Sequence, residues 1–242
     1  MAASSAEPAG AAPSFAEIAR LLQAEPDVDA TVDQIVDLAR RAVDCDFASI
    51  TMLLPQKRVE TAAATHQVIR EADALQYQLA EGPCLQAIWS HDTFVVQDME
   101  HDPRWPSWGP QAARLGLRSI LAIRLFTQGE TQGALNLYAG STGRFDQDDV
   151  DVSHLFAAQA SVALAAARNE EHLRKAVDAR HLIGQAQGIL MERFDISAER
   201  AFDVLRRYSN TRNAKLNMIA AEVVAQRDLL DDIPGTPERQ PS

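Results

Sequence analysis

The sequence predicts an α+β protein in two parts: an antiparallel sheet with flanking helices, then an all-α unit of three helices, the two joined by a long helix. Three observations carry this. Residues 46–65 and 119–138 are β-branched and apolar with a period near two, bounded by turn residues. Residues 175–226 keep a helical spacing of threes and fours broken at only two places. The charge divides the same way. From Arg174 to Arg227 ten Lys and Arg stand against six acids, a net of +4; the whole chain is at −11, so the remainder carries −15.

Taken in order, residues 1–13 are rich in Ala, Ser and Pro and read as a disordered lead. Ser14 caps a short amphipathic helix that Glu25-Pro26 ends, and Asp29–Val43 forms a second with Val32, Ile35, Val36, Ala39 and Val43 inward. The period then changes. Asp46–Leu54 and Arg58–Thr65 read as strands of one hairpin. Glu71–Tyr77 is a helical or loop excursion, and Pro83 suits the first turn of a helix over Cys84–His91. Phe94–Gln97 is a short strand, Asp98–Pro110 a loop holding Trp105 and Trp108, and Gln111–Leu115 a short helix. Ser119–Phe126 and Gly133–Tyr138 are the last strands, and Asp146 to Asp149 cap a long helix running towards Arg180. With helices on one face of such a sheet, a pocket is expected under the excursions on the other.

That long helix is rich in alanine, with Val150, Leu155, Phe156, Val162 and Leu164 among residues 157–167 and their neighbours. Small side chains let helices approach closely, which suits pairing of two chains; its first half serves equally well as a cover for its own sheet. In the C-terminal unit the first helix sets Val177, Ile183, Ala186, Ile189, Leu190 and Phe194 on one face. Ser197 caps the second, whose stripe is Ala201, Val204, Leu205 and Tyr208. After the polar turn 209–213, Leu216, Ile219, Ala220, Val223 and Val224 line the third. The acidic tail 228–242 reads as disorder or as a competitor for the basic face.

Two families supply matching motifs. The block Gln185-Ala186-Gln187-Gly188-Ile189-Leu190-Met191, flanked by Arg180, Ile183 and Arg193, continues into Ala201-Phe202, Leu205-Arg206, Ser209, Asn213, Leu216 and Ala220. Over residues 169–227 this resembles an ANTAR domain, the RNA-binding antiterminator module of bacterial regulators. Gln187 stands where that family commonly has Lys, which removes one charge contact. Upstream, Gln76-Tyr77, Glu81-Gly82-Pro83-Cys84, Asp102-Pro103-Arg104-Trp105-Pro106, residues 115–119, Gly133 to Tyr138 and Phe145-Asp146 resemble a GAF domain over residues 14–168. The resemblance implies a signal-responsive transcription antitermination regulator: a GAF sensor controls a dimer whose ANTAR modules bind paired RNA stem-loops in nascent transcripts.

The residues expected to meet RNA are Arg180, Gln187, Arg193, Arg206, Arg207, Ser209, Arg212, Asn213 and Lys215: cations for phosphate, polar groups for splayed-out bases, and a helix start near Lys215. The tentative ligand-binding residues of the GAF part are Cys84, Trp105, Trp108 and Tyr138. The tryptophans either wall a pocket or anchor a loop. Cys84, at a predicted helix N-terminus, is a thiolate with a lowered pKa and a redox role, or a small buried hydrophobe. No cofactor is expected. His66, His91, His101 and His154 are scattered without ligand spacing, so no metal is expected either. Cys45 lies at a helix-to-strand junction and nothing in the sequence brings it to Cys84, which speaks against the paired thiols of a GAF-type methionine sulfoxide reductase and for a chain that is not an enzyme. A DNA-binding regulator is the other alternative, because three short helices with a basic turn also resemble helix-turn-helix. Two cysteines, no apolar run of about eighteen residues and no signal peptide predict a cytoplasmic protein without a membrane segment.

Overall fold

The computed structural model describes residues 15–23, 25, 27–90 and 92–225, so the expected lead 1–13, the Ser14 cap, the Pro26 stop, His91, residues 226–227 and the tail 228–242 lie outside the described residues. The chain divides into two compact units, Met1–Asn169 and Glu170–Ser242. The fold is α+β, as the two periodicities predict.

In the first unit α1 (Phe15–Gln23) and α2 (Val28–Ala42) precede β1 (Phe47–Leu54) and β2 (Arg58–Ala64). Helices α3 (Gln67–Leu79) and α4 (Pro83–Ser90), strand β3 (Thr93–Val96), helix α5 (Gly109–Arg114) and strands β4 (Ser119–Thr127) and β5 (Glu130–Ala139) follow. The sheet is antiparallel with order β2-β1-β5-β4-β3. Asp27 caps α2 by accepting the Ala30 N–H at 2.9 Å. The excursion left open between helix and loop is the helix α3: His66 Nδ1 accepts the Val68 N–H at 3.2 Å, and Ala80 in the left-handed region stops it. Between β1 and β2, residues Pro55–Lys57 make a single 3-10 turn with Gln56 at φ 62°.

Alternation splits the core. One face of the sheet offers Ala48, Ile50, Met52, Leu121, Ile123, Leu125, Leu135 and Leu137 to α1, α2 and the start of α6 (Gln147–Phe194). There Phe156, Ala160, Ala163 and Leu164 are buried. The other face carries α3, α4 and α5. Helix α6 starts from a reciprocal cap: Asp149 N–H donates to Asp146 Oδ1 at 2.9 Å and Asp146 N–H to Asp149 Oδ2 at 3.0 Å. Arg144 pairs with Asp149 at 2.8 Å and donates to the Val43 and Asp44 carbonyls, tying the end of α2 to this start.

One expectation about α6 needs correction. The connecting helix and the first helix of the C-terminal unit are one helix of 48 residues, because nothing between Ala165 and Val177 caps or breaks it. An 18-residue window in it also reaches a mean hydropathy of 1.3, so by length and composition it is long and apolar enough to cross a membrane, although 39 % of that window is buried in the protein. Alanines raise the hydropathy without forming one continuous apolar run, and the face with Phe156 and Leu164 is occupied by the sheet.

The second unit holds the end of α6, α7 (Ala198–Arg212) and α8 (Leu216–Ala225). Ala186, Leu190, Ala201, Val204, Leu205, Ile219, Ala220 and Val223 form its core. Val177, expected to face inward, is 63 % exposed, more than two turns before the buried stripe begins at Ala186. Ser197 Oγ accepts the Arg200 N–H at 3.2 Å, the cap the sequence predicts. Truncating Phe156 to Ala should cost about 3–5 kcal/mol, and Ser197→Ala about 1 kcal/mol. Urea denaturation followed by far-UV circular dichroism checks both, and an unchanged midpoint for Phe156→Ala would remove that ring from the core.

Candidate functional site: a buried carboxylate network and a basic helical face

The strand register places polar side chains side by side under α3 and α4. Ser49 faces Asn136 across β1 and β5, and Thr51 faces Thr61 across β1 and β2. Most of this lies inside, with Thr61 half-buried. Ser49, Thr51, Asp73, Gln76, Cys84, Asn136 and Tyr138 have no exposed surface. Buried polar groups have to satisfy one another, and here the direction of each bond can be followed. Tyr138 donates to Asp73 Oδ1 at 2.5 Å and accepts from Gln76 Nε2 at 3.3 Å. Thr61 donates to Asp73 Oδ2 at 3.1 Å. With its proton committed, Thr61 accepts from Tyr77 at 2.8 Å, and Tyr77 in turn accepts from Thr51 at 2.8 Å. Thr51 receives the Cys84 thiol at 3.1 Å and the Asn136 amide at 3.2 Å. Every chain of donors therefore ends on one carboxylate, and the network closes with Asp73 ionised. Burial opposes that charge. It pushes the Asp73 pKa up to about 6 against the pull of Tyr138, Ser49 and Thr61. Asn136 Oδ1 is buried without a hydrogen-bond partner.

The four residues expected to bind a ligand meet on this face, but as filling. Trp108 and Tyr138 are wholly buried, and Trp105 is nearly so. Trp108 Nε1–H donates to the Ala72 carbonyl at 3.0 Å, and Glu81 accepts the Ser107 and Trp108 N–H groups, so the loop is anchored. Gly82 lets Gln76 lie against the backbone: a Cβ there would stand 2.1 Å from Gln76 Oε1, which accepts the Cys84 N–H at 3.0 Å. The space expected to be a pocket is thus occupied by the protein's own side chains. A groove of about 690 Å³ opens on the opposite face, lined by Arg124, Phe126, His154, Ser161 and Val162 among others. Of the two readings of Cys84, the small buried hydrophobe holds and the lowered pKa does not. Burial and the Asp73 charge push it up to about 12, which outweighs the helix terminus. Cys45 is buried in the other core cluster, across the sheet from Cys84.

In the second unit the expected RNA-facing residues fall into two groups. Several have internal tasks. Gln187 Nε2 donates to the Ala198 carbonyl at 3.0 Å, Ser209 Oγ to the Ala214 carbonyl at 2.6 Å, and Asn213, at φ 48°, ends α7. Arg212 pairs with Glu222 at 2.5 Å and lies over the Tyr208 ring, and the Glu222 charge raises its pKa. Arg193 is half-buried in a groove of about 540 Å³ with Gln185, Ile189 and Val224. The others face solvent. Arg206 is exposed and held by Asp203 at 2.8 Å. Arg180, Arg207 and Lys215 are exposed, as is Arg200, which the sequence reading passed over. None of these last four makes a side-chain ion pair among the described residues. With Arg174, which is likewise exposed, they are the cations available to a polyanion.

The model of the GAF domain family matches residues 25–165, and that of the ANTAR domain matches residues 171–224. The chain belongs to the GAF–ANTAR family. No curated protein is matched. Among solved structures, the GAF domain of a phosphoenolpyruvate-protein phosphotransferase from Coxiella burnetii is 15 % identical, with a TM-score of 0.53 over 65 % of this chain and 94 % of that one. Its counterpart from Acinetobacter is 15 % identical, with a TM-score of 0.52 over 65 % and 94 %. A free methionine-R-sulfoxide reductase from Neisseria meningitidis in complex with its substrate is 17 % identical, with a TM-score of 0.51 over 64 % and 89 %. At these identities the likeness shows the fold.

This GAF–ANTAR protein therefore joins a sensor module to an RNA-binding output module. The sequence reading missed the GAF network. Its signal is a polar residue at every second position of strands whose other residues are fully apolar, as in Ser49 and Thr51 among Ala48, Ile50 and Met52. Asp73 gives the network a measurable signature. Its folded pKa is raised from 3.8 to about 6, so the stability it contributes is complete below about pH 3.8 and is lost as pH rises through about 6. The loss amounts to about 3 kcal/mol. The stability difference between the wild type and Asp73→Asn should fall by most of that amount from pH 4 to pH 7. Urea titrations across this range test it, and a difference that stays level would mean that Asp73 does not titrate there.

Proposed function

We propose that the chain is a transcription antitermination regulator that binds RNA stem-loops in nascent transcripts through its ANTAR domain, under the control of a signal received by its GAF domain. The observation that carries this reading is the charge of the ANTAR unit. Arg180, Arg200, Arg207 and Lys215 stand exposed and without ion pairs among the described residues, on a module of net positive charge within a chain at −11. An excess of unpaired cations on so small a unit favours a polyanion. The two cysteines, buried on opposite faces of the sheet, support a sensor rather than an enzyme. We place the protein in the cytoplasm.

The active form is a homodimer paired along α6, because Leu155 and Val162, seven residues apart, are each 56 % exposed on the face turned away from the sheet. Two weak stem-loop contacts then gain from effective concentration. Sedimentation should show a dimer for the wild type and a monomer for Leu155→Glu/Val162→Glu; a wild-type monomer at all concentrations would remove α6 as a pairing surface. Anisotropy titrations of full-length protein with hairpin RNA, with duplex DNA as competitor, test the output. Binding should weaken steeply with salt, and Arg207→Ala/Lys215→Ala should flatten the logarithmic salt slope by about two. Equal affinity for duplex DNA would instead favour a DNA-binding regulator.

A further inference from the structure

The buried stripe of α7 is Ala201, Val204 and Leu205, with Tyr208 beside it. Phe202 lies off that stripe and is 37 % exposed. It does not stand alone. At 3.6 residues per turn, Arg206 and Asn210 follow it one and two turns on along the same side of the helix, and both are exposed. The Arg206 guanidinium pairs with Asp203 at 2.8 Å, and both side chains are exposed. An aromatic ring, a guanidinium and an amide thus lie in one row on an exposed helix face. Leu173, Val177 and Met191 on α6 and Met218 on α8 are also exposed in this unit, but none of them carries an aromatic ring.

Resting on the RNA-binding reading above, we propose that Phe202, Arg206 and Asn210 form the base-reading row of the ANTAR domain, with the Phe202 ring as a stacking platform for an unpaired loop base. The chemistry divides among the three. A phenyl ring accepts the face of a splayed-out base, the guanidinium stacks beside it or takes the adjoining phosphate, and the Asn210 amide can donate to and accept from a base edge. The acids on the same side favour base over backbone. Glu199 is exposed one turn before Phe202, and Asp203 already half-neutralises Arg206, so phosphate density is drawn less to this row than to Arg200, Arg207 and Lys215. The ligand is accordingly a hairpin with an unpaired loop, and a fully paired duplex of the same length should leave the row unused.

The test uses the full chain and a pool of hairpins with a constant stem and a randomised loop. One selected hairpin is then rebuilt with 2-aminopurine at each loop position in turn. Wild type, Phe202→Leu, Phe202→Tyr and Arg207→Ala/Lys215→Ala are compared, with circular dichroism confirming that each is folded. Phe202→Leu should weaken hairpin binding roughly ten- to a hundredfold without changing the salt slope, should abolish 2-aminopurine quenching at one loop position, and should be rescued by Phe202→Tyr. Wild-type affinity in Phe202→Leu, alongside weakened binding in the double cation variant, overturns the stacking row and leaves the RNA reading intact. Failure of the wild type to select any hairpin, or equal binding of the paired duplex, overturns both.

Discussion

A carboxylate with no exposed surface lies at the centre of the GAF domain, and the arrangement around it follows from that constraint. A charge in a core needs several donors or it must be neutralised. Tyr138 from β5, Thr61 from β2 and Ser49 from β1 supply them, while Gln76, Tyr77 and Thr51 orient the donors from behind. The strand register, the seating of α3 and the glycine at position 82 all serve one network. Cys84 belongs to it as well, through its N–H to Gln76 and its thiol to Thr51. That explains a helix N-terminus that does not activate its cysteine: the local dipole is set against full burial and a neighbouring negative charge, and the latter two are larger.

The network also bears on how a sensor of this kind receives its signal. The space between the sheet and the α3–α5 layer is filled by Trp105, Trp108, Tyr138 and the polar cluster. A molecule entering there has to break hydrogen bonds that converge on a charge and leave buried groups unpaired, which is among the costlier events in a core. A signal acting on the opposite face meets a different situation. There a groove of about 690 Å³ is already open between the end of β4 and α6, and Ser161 joins the two by accepting the Phe126 N–H at 3.0 Å and donating to Ala157.

How much of this was legible in the sequence depends on which period carried the information. Strands and helices were readable to within a few residues because their apolar faces repeat, and caps such as Ser197 and Asp146 were readable because the chemistry is local. The layout of motifs also gave the family. What escaped was anything set by pairing across the fold. Ser49 and Asn136 are neighbours only through an antiparallel register, and Asp73 becomes a core residue only when α3 lies on β1 and β2. In the ANTAR domain the same blindness worked in reverse. Gln187 and Ser209 looked like surface readers, yet the side chain of each fastens one turn of the unit to another, while Asn213 ends α7 through its backbone. Polar residues near a turn serve the turn first.

That division of labour narrows the proposed RNA surface and sharpens what it can recognise. Once the internally engaged residues are set aside, the free cations number few and most lie along or just beyond α7, so phosphate attraction alone supplies modest affinity and no sequence preference. Preference has to come from groups that meet bases, and Phe202 with Arg206 and Asn210 is the part of that helix whose chemistry suits an unpaired base. A module reading one or two bases this way is weak and permissive by itself. Discrimination then comes from requiring two loops at a spacing that two modules can span, because a second contact made within one complex multiplies affinity without any new chemistry at either site.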